Sequence, residues 1–124
     1  MVHNGKVARF IFVEWLLIWL RETVVFHFEW DHGNRDKNFA KHKIPIADIE
    51  ELFTFGLAIP LGIQVSPPVK EQRIALTGPI STGQHLTVVF TLRGGRVRAI
   101  SARPAHRKER EAYEKIIRKI AERV

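Results

Sequence analysis

The sequence contains no cysteine among its 124 residues. This absence excludes a disulfide framework, a thiol nucleophile and a thiolate metal site, and it fits a reducing compartment such as the cytoplasm. Glycine and proline are not in excess, and no internal repeat or low-complexity tract is present. Apolar residues make up 45% of the chain and charged residues 27%, as in ordinary globular proteins. The composition therefore predicts one folded domain with its own core.

The sequence also lacks a hydrophobic run long enough to span a membrane. Residues 6–20 are apolar nearly all round, but Arg9 and Glu14 interrupt them and no small-residue cleavage site follows. A transmembrane helix needs about 20 apolar residues, and an amphipathic surface helix would show a polar face. We predict no transmembrane span and a helical extension at residues 1–23, ahead of a single domain at residues 24–124. The extension is either buried against the domain or a partner, or derived from an upstream start, or attached to a membrane surface.

Positive charge is concentrated in the last third of the chain. From Arg93 onward there are eleven lysines and arginines against four acidic residues, whereas the preceding residues carry nine of each. The net charge of +7 therefore belongs to one segment. Such a concentration favours an anionic partner, which can be RNA, DNA, an acidic protein or a membrane surface. The alternative is a basic helix that is merely solvated.

Residues 24–31 alternate between apolar and polar side chains, which predicts a first strand. The apolar face carries Phe26, Phe28 and Trp30, and the polar face carries His27, Glu29 and Asp31. The polar face holds three potential metal ligands, but no second ligand cluster accompanies them. We interpret it as a solvated strand face and predict no metal and no cofactor. Asp31 also suits a turn or a helix N-cap.

The remaining pattern predicts helices and strands that are segregated along the chain. Helices are expected at residues 34–43 and 46–53, and a short strand or an ordered loop at residues 55–63. Strands follow at residues 73–77, 85–92 and 96–103, and Gly94-Gly95 predicts a tight hairpin turn between the last two. A final helix is expected at residues 105–124. The order predicts an α+β fold, in which an antiparallel sheet of about four strands carries two helices near its N-terminal side and one C-terminal helix.

Several short motifs follow one another along the chain. They begin at the FEWD sequence of residues 28–31 and continue through Asn38, Lys41, His42, Glu71, Arg73, Gly78, Thr91, Arg98, Glu109 and Tyr113. Together these motifs resemble the BrnT family of toxins from type II toxin–antitoxin systems. The resemblance covers about residues 26–115 and leaves residues 1–23 outside. Lys43 stands where the family usually has glycine.

The resemblance implies a RelE-like fold and a cytoplasmic ribonuclease that cleaves RNA to inhibit translation. It also implies neutralisation by a BrnA-like antitoxin with a ribbon-helix-helix part, so the protein would form a hetero-oligomer and contact DNA only through that antitoxin. The alternative is a non-catalytic basic module that binds nucleic acid or a protein partner.

RNA cleavage without a metal requires a base for the 2′-hydroxyl, cations for the charge on the phosphate and an acid for the leaving oxygen. Arginine suits the second task because its planar fork matches two phosphate oxygens. The candidate catalytic residues are Arg103, Arg73, Glu71, His42 and Lys41, and the candidate RNA-binding residues are Arg98, Lys37, Arg96 and Tyr113. Glu71 is either a base or a residue that orients an arginine, and Tyr113 is either an RNA contact or a core residue. The sequence leaves the identity of the general base open.

The strand at residues 96–103 raises a question about its arginines. In a regular strand, side chains an odd number of residues apart point to opposite faces. Arg98 and Arg103 therefore share a site only if a β-bulge lies between them. For a regular strand, we favour Arg103 as the catalytic arginine.

Overall fold

The computed structural model of the protein describes residues 16, 18–23, 25–31, 33–35, 42–64 and 72–122. Four strands in these ranges form one antiparallel sheet in the order β1-β2-β3-β4. They are β1 (Ile59–Gln64), β2 (Arg73–Pro79), β3 (His85–Arg93) and β4 (Arg96–Pro104). Helix α1 (Ile46–Thr54) precedes the sheet and helix α2 (Arg107–Glu122) follows it. The predicted α+β class, with a four-stranded antiparallel sheet and a C-terminal helix, is confirmed.

The turn between β3 and β4 is the hairpin that the Gly94-Gly95 pair predicts. Both glycines have positive φ, 57° and 80°, which only glycine adopts without steric cost. A two-residue turn with both central residues in this conformation matches the right-handed twist of the strands it joins. The turn therefore sets β3 and β4 side by side, and the basic strand packs directly against the most hydrophobic one.

One face of the sheet forms the hydrophobic core with helix α1. Leu86, Val88 and Phe90 of β3 are fully buried on this face. Ile49, Leu52 and Phe53 cover it from α1, because helical spacing places these three side chains on one side of the helix. The ring of Phe53 meets that of Phe90 edge to face at 5.0 Å between centroids.

The predicted first strand at residues 24–31 is wrong as a strand. This segment makes one isolated parallel bridge to the sheet, between Phe28 and Val97. Two backbone hydrogen bonds hold it, from Glu29 to the carbonyl of Val97 and from Val97 to the carbonyl of His27. Helical residues 18–22 precede this segment and helical residues 33–35 follow it. The predicted apolar face is nevertheless correct, since Phe26, Phe28 and Trp30 pack against the core.

The N-terminal residues that the structure describes also contribute to the core. Leu16 is fully buried, and Trp19 and Leu20 pack against the same cluster. Most of the predicted extension, residues 1–15, lies outside the described residues. Within the described parts of the chain, no helix has the length and apolar character required to cross a membrane.

The helix predicted at residues 34–43 is described only at its two ends, where residues 33–35 and 42 are helical. Residues 36–41 lie outside the described part of the chain. Lys43 follows with a positive φ of 55°. A side chain in this left-handed conformation costs about 1–2 kcal/mol, which gives a physical reason for the glycine that the family resemblance implies at this position.

Candidate active site

A β-bulge in strand β4 settles which arginines share a face of the sheet. Across β3 and β4, Val89 pairs with Ser101 but Phe90 pairs with Ala99, so Ile100 is the extra residue. As a result Arg98 pairs with Thr91 and Arg103 with Thr87.

Paired residues lie on the same side of a sheet, and Thr87 and Thr91 are four residues apart on β3. Arg98 and Arg103 therefore lie on one face, opposite the hydrophobic core. The bulge is the condition under which both arginines line one site.

Strand β2 adds a third arginine to this face. Thr77 pairs with Thr87, and Arg73 lies four residues before Thr77 on the same strand, so Arg73 points to the same side. Strands β2 and β4 flank β3, which places the backbones of Arg73 and Arg98 about 10 Å apart. We call this surface the arginine face, and it is defined by Arg73, Arg98 and Arg103. Between the arginines lie the partly exposed side chains of Ala75, Val89 and Ser101.

Arg103 is held by Glu109 from the first turn of helix α2. Its Nη1 donates to Oε1 of Glu109 at 2.6 Å and its Nη2 donates to Oε2 at 2.8 Å. Oε1 of Glu109 also accepts from the Thr87 hydroxyl at 3.0 Å and from the backbone N–H of His106 at 2.7 Å. The last bond is the return half of a capping box, in which the third residue of a helix binds the N–H of the N-cap residue. Glu109 thus caps the N-terminus of the helix and also orients Arg103.

These contacts change the ionisation of the pair. The hydrogen bonds from Arg103, with smaller contributions from His106 and Thr87, lower the pKa of Glu109 from 4.5 to about 2. The hydrogen bond to Glu109 also raises the pKa of Arg103 above its ordinary value. A carboxylate with so low a pKa is a weak base, so Glu109 serves to position Arg103 and not to accept a proton.

We expect Glu109→Gln to lower the free energy of unfolding by about 1–2 kcal/mol at pH 7. The folded pKa of Glu109 lies below the unfolded one, so its contribution is present above pH 4.5 and is lost as the pH falls towards 2. The difference between wild type and Glu109→Gln in denaturant unfolding should therefore shrink between pH 5 and pH 2.5. Glu111→Gln, at an exposed carboxylate paired with Arg107, is the matched control with little effect at either pH. An equal difference for Glu109→Gln at both pH values would contradict the assignment.

Arg98 is held in a similar way by Asp31, which precedes the helical residues 33–35. Its Nη1 donates to Oδ2 of Asp31 at 2.7 Å and its Nη2 donates to Oδ1 at 3.3 Å. Glu29 lies 3.7 Å from the same Nη1 and from Nη1 of Arg93. The Arg98 hydrogen bond lowers the pKa of the Asp31 carboxyl, helped by N–H groups of Asn34 and Gly33. The polar face of residues 27–31 is thus partly an arginine-binding surface.

Arg73 differs from the other two arginines. No acidic residue in the described part of the chain lies within ion-pair distance of it, and its buried Nε finds no hydrogen-bond partner there. Arg73 is therefore the arginine of this face that has no acidic partner among the described residues.

The remaining candidate residues from the sequence do not join the three arginines in a described contact. Arg96 is exposed at the hairpin end and pairs with Arg93, on the same side as Arg98. Tyr113 is 7% exposed and donates its hydroxyl to the Leu57 carbonyl at 2.7 Å, and burial raises its pKa. The structure thus favours the core alternative for Tyr113.

His42 is partly buried, and no described contact joins it to the arginines. Lys37, Lys41 and Glu71 lie outside the described residues.

Two residues of the site were not predicted as arginine partners from the sequence. Asp31 was interpreted as a turn or N-cap residue, and it does accept N–H bonds from Gly33 and Asn34. Its ion pair with Arg98 spans 67 positions of sequence and leaves no local signal. Glu109 is one of the residues that carry the family resemblance. Its partner Arg103 lies on a strand, and helical periodicity does not predict contacts with a strand. In the described ranges, no group of three histidine or acidic side chains is placed to hold a metal ion.

Comparison with known proteins identifies the family. A family model described as a ribonuclease toxin, BrnT, of a type II toxin–antitoxin system matches residues 30–109. That range includes all three arginines of the face together with Asp31 and Glu109. No curated protein matches the chain.

Proposed function

The chain belongs to the BrnT family of ribonuclease toxins of type II toxin–antitoxin systems, and we propose that its arginine face is where it binds and cleaves RNA. The observation that carries this proposal is the bulge at Ile100, because it brings Arg98 and Arg103 to the same side as Arg73. Three guanidinium groups on one sheet face suit a phosphate chain, since the planar guanidinium group matches the geometry of phosphate oxygens.

The proposed chemistry divides the work between the arginines and their supports. Attack of a 2′-hydroxyl on the adjacent phosphorus builds negative charge on the phosphate oxygens, which fixed N–H donors stabilise without reorganisation. Arg73 binds the phosphate, while Arg98 and Arg103 approach with orientations set by Asp31 and Glu109.

The proton transfers are assigned from the family resemblance. Glu109 and Asp31 have lowered pKa values, which makes them poor proton acceptors. His42 and Glu71 are the proposed groups for proton transfer, and Lys41 adds positive charge. Lys37 and Arg96 extend the basic surface along the bound strand. No metal is part of this scheme.

The wider setting of the activity is proposed from the same family. We propose a RelE-like domain at residues 24–124, with the preceding residues as an extension, acting in the cytoplasm. Cleavage of RNA would stop translation until a BrnA-like antitoxin with a ribbon-helix-helix part binds the toxin. DNA would then be contacted only through that antitoxin.

The activity is tested with the purified full-length chain and a single-stranded RNA in the presence of EDTA. We expect cleavage to products with 5′-hydroxyl and 2′,3′-cyclic phosphate ends, because the 2′-oxygen displaces the 5′-oxygen. The matched control is the same sequence with 2′-O-methyl groups, which should bind but stay intact. Expression in cells should arrest growth, and the protein encoded beside this gene should relieve the arrest.

A non-catalytic nucleic-acid-binding module would give a different result. It would bind both oligonucleotides with the same steep dependence on salt concentration and leave both intact. Intact RNA together with normal growth would overturn the toxin chemistry proposed for this chain.

A further inference from the structure

Helix α2 leaves most of its apolar stripe uncovered. Of its 16 residues, Tyr113 is the one buried against the domain. Ile116 and Ile117 are each 36% exposed and Ile120 is 52% exposed, although they continue the same stripe at helical spacing. A surface helix normally buries such a stripe. The three partly exposed isoleucines therefore form an apolar strip that Tyr113 does not extend into the core.

The stripe forms one wall of a groove with a volume of about 460 Å³. Ile117 and Ile120 line the groove together with Leu52 and Phe53 from the C-terminal end of α1. Leu57, which is 51% exposed, lies in the loop that joins α1 to β1 and also lines the groove. The walls are side chains of helices and a loop. Grooves with such walls receive an apolar face of a second helix, with anchors at helical spacing.

The charge that lines the groove is positive. Among the described residues that line it, Arg21 is the one charged side chain. On α2, Lys115, Arg118 and Lys119 are exposed together with Glu114 and Glu122, so this part of the helix carries both signs of charge. An apolar groove with a basic side chain in its lining complements an amphipathic helix whose polar side is acidic.

We propose that this groove is the docking site for the antitoxin and that the antitoxin fills it with an acidic amphipathic helix. The proposal rests on the family assignment, which implies an antitoxin partner, and is independent of the RNA chemistry. None of the residues that line the groove is one of the three arginines of the arginine face. The antitoxin thus has an anchor that does not compete with the RNA for the same arginines.

The test compares two isoleucines that match in type and in exposure. Ile120 is 52% exposed and lines the groove, while Ile18 is 55% exposed and does not line it. The Kd of each full-length variant for the protein encoded beside this gene is measured by titration calorimetry. We expect Ile120→Ser to weaken binding about tenfold or more, and Ile18→Ser to stay within about twofold of wild type.

Reversing the charge of Arg21 provides a second test of the docking site. We expect Arg21→Glu to raise the Kd, with a smaller dependence of Kd on salt concentration than in the wild type. Because Kd is measured directly, this arm remains informative even if the wild-type chain fails to cleave RNA. Conversely, RNA cleavage by the free Ile120→Ser chain should match that of the wild type.

Three outcomes would overturn the proposal. Wild-type affinity in Ile120→Ser would place the antitoxin elsewhere. A self-associated wild-type chain that Ile120→Ser converts to monomer in sedimentation would make a second copy the occupant. A large drop in the Tm of the free chain with Ile120→Ser alone would show that the chain itself covers the stripe.

Discussion

Replacing Arg73 by alanine is expected to lower the rate of RNA cleavage by about 10²- to 10³-fold while leaving the Tm nearly unchanged. The guanidinium of Arg73 has no acidic partner in the described residues, and its buried Nε has no hydrogen-bond partner there. The truncation therefore leaves no described carboxylate unpaired. The loss should appear in the cleavage rate at saturating RNA, where stabilisation of the transition state is measured.

The other two arginines of the face give a less simple experiment. Arg103→Ala leaves the carboxylate of Glu109 without its two hydrogen bonds from a guanidinium group, and Arg98→Ala does the same to Asp31. Both variants are expected to lose activity, and Arg103→Ala is also expected to lose stability. A regular strand would have allowed only one of them to line the site, so inactivity of both supports the shared face.

Arg107→Ala is the control for a general effect of lost positive charge. Arg107 lies on α2, its side chain is 86% exposed, and its ion pair with Glu111 is on the surface. Such pairs contribute little to stability, and we expect wild-type cleavage from this variant. Full activity in Arg73→Ala would remove Arg73 from the site. An equal loss in Arg73→Ala and Arg107→Ala would show that net charge alone matters.

Replacing Leu16 by alanine is expected to lower the free energy of unfolding by about 2–5 kcal/mol. Leu16 is fully buried in the cluster that also holds Phe53 and Phe90. Removing its branched end leaves a cavity in this cluster, whose phenylalanine rings are held by edge-to-face contacts with one another. Denaturant unfolding of the full-length chain measures the effect.

Ile18→Ala is the matched control for Leu16→Ala. Ile18 is 55% exposed in the same helical stretch, and its truncation is expected to change stability by about 0.5 kcal/mol or less. Equal values for the two variants would mean that this stretch does not belong to the core. A large loss of unfolding free energy in Leu16→Ala would show that a chain beginning at Val25 lacks part of the core packing.

Much of the fold follows from local patterns in the sequence. The alternation at residues 85–92, the Gly94-Gly95 pair and the apolar spacing at residues 46–53 each predict their element, because these periodicities are properties of single strands and helices. The first strand was predicted wrongly for a related reason. Alternation at residues 24–31 correctly indicates which side chains are buried, but a strand also needs a partner along its length. The sheet provides one bridge to it, at Val97.

For the candidate site, too, the sequence predicted some features and the tertiary structure was needed for others. The sequence by itself determined that the protein carries its positive charge on one strand–helix unit, and that Arg73, Arg98 and Arg103 are the arginines to consider. Only the tertiary structure decided that they share one face, because the bulge at Ile100 arises from the pairing of β4 with β3 and has no local signature in β4. The structure also decided that Asp31 and Glu109 hold two of them. Hydrogen bonds between groups distant in sequence depend on how the whole chain packs, and no periodicity within one segment encodes that.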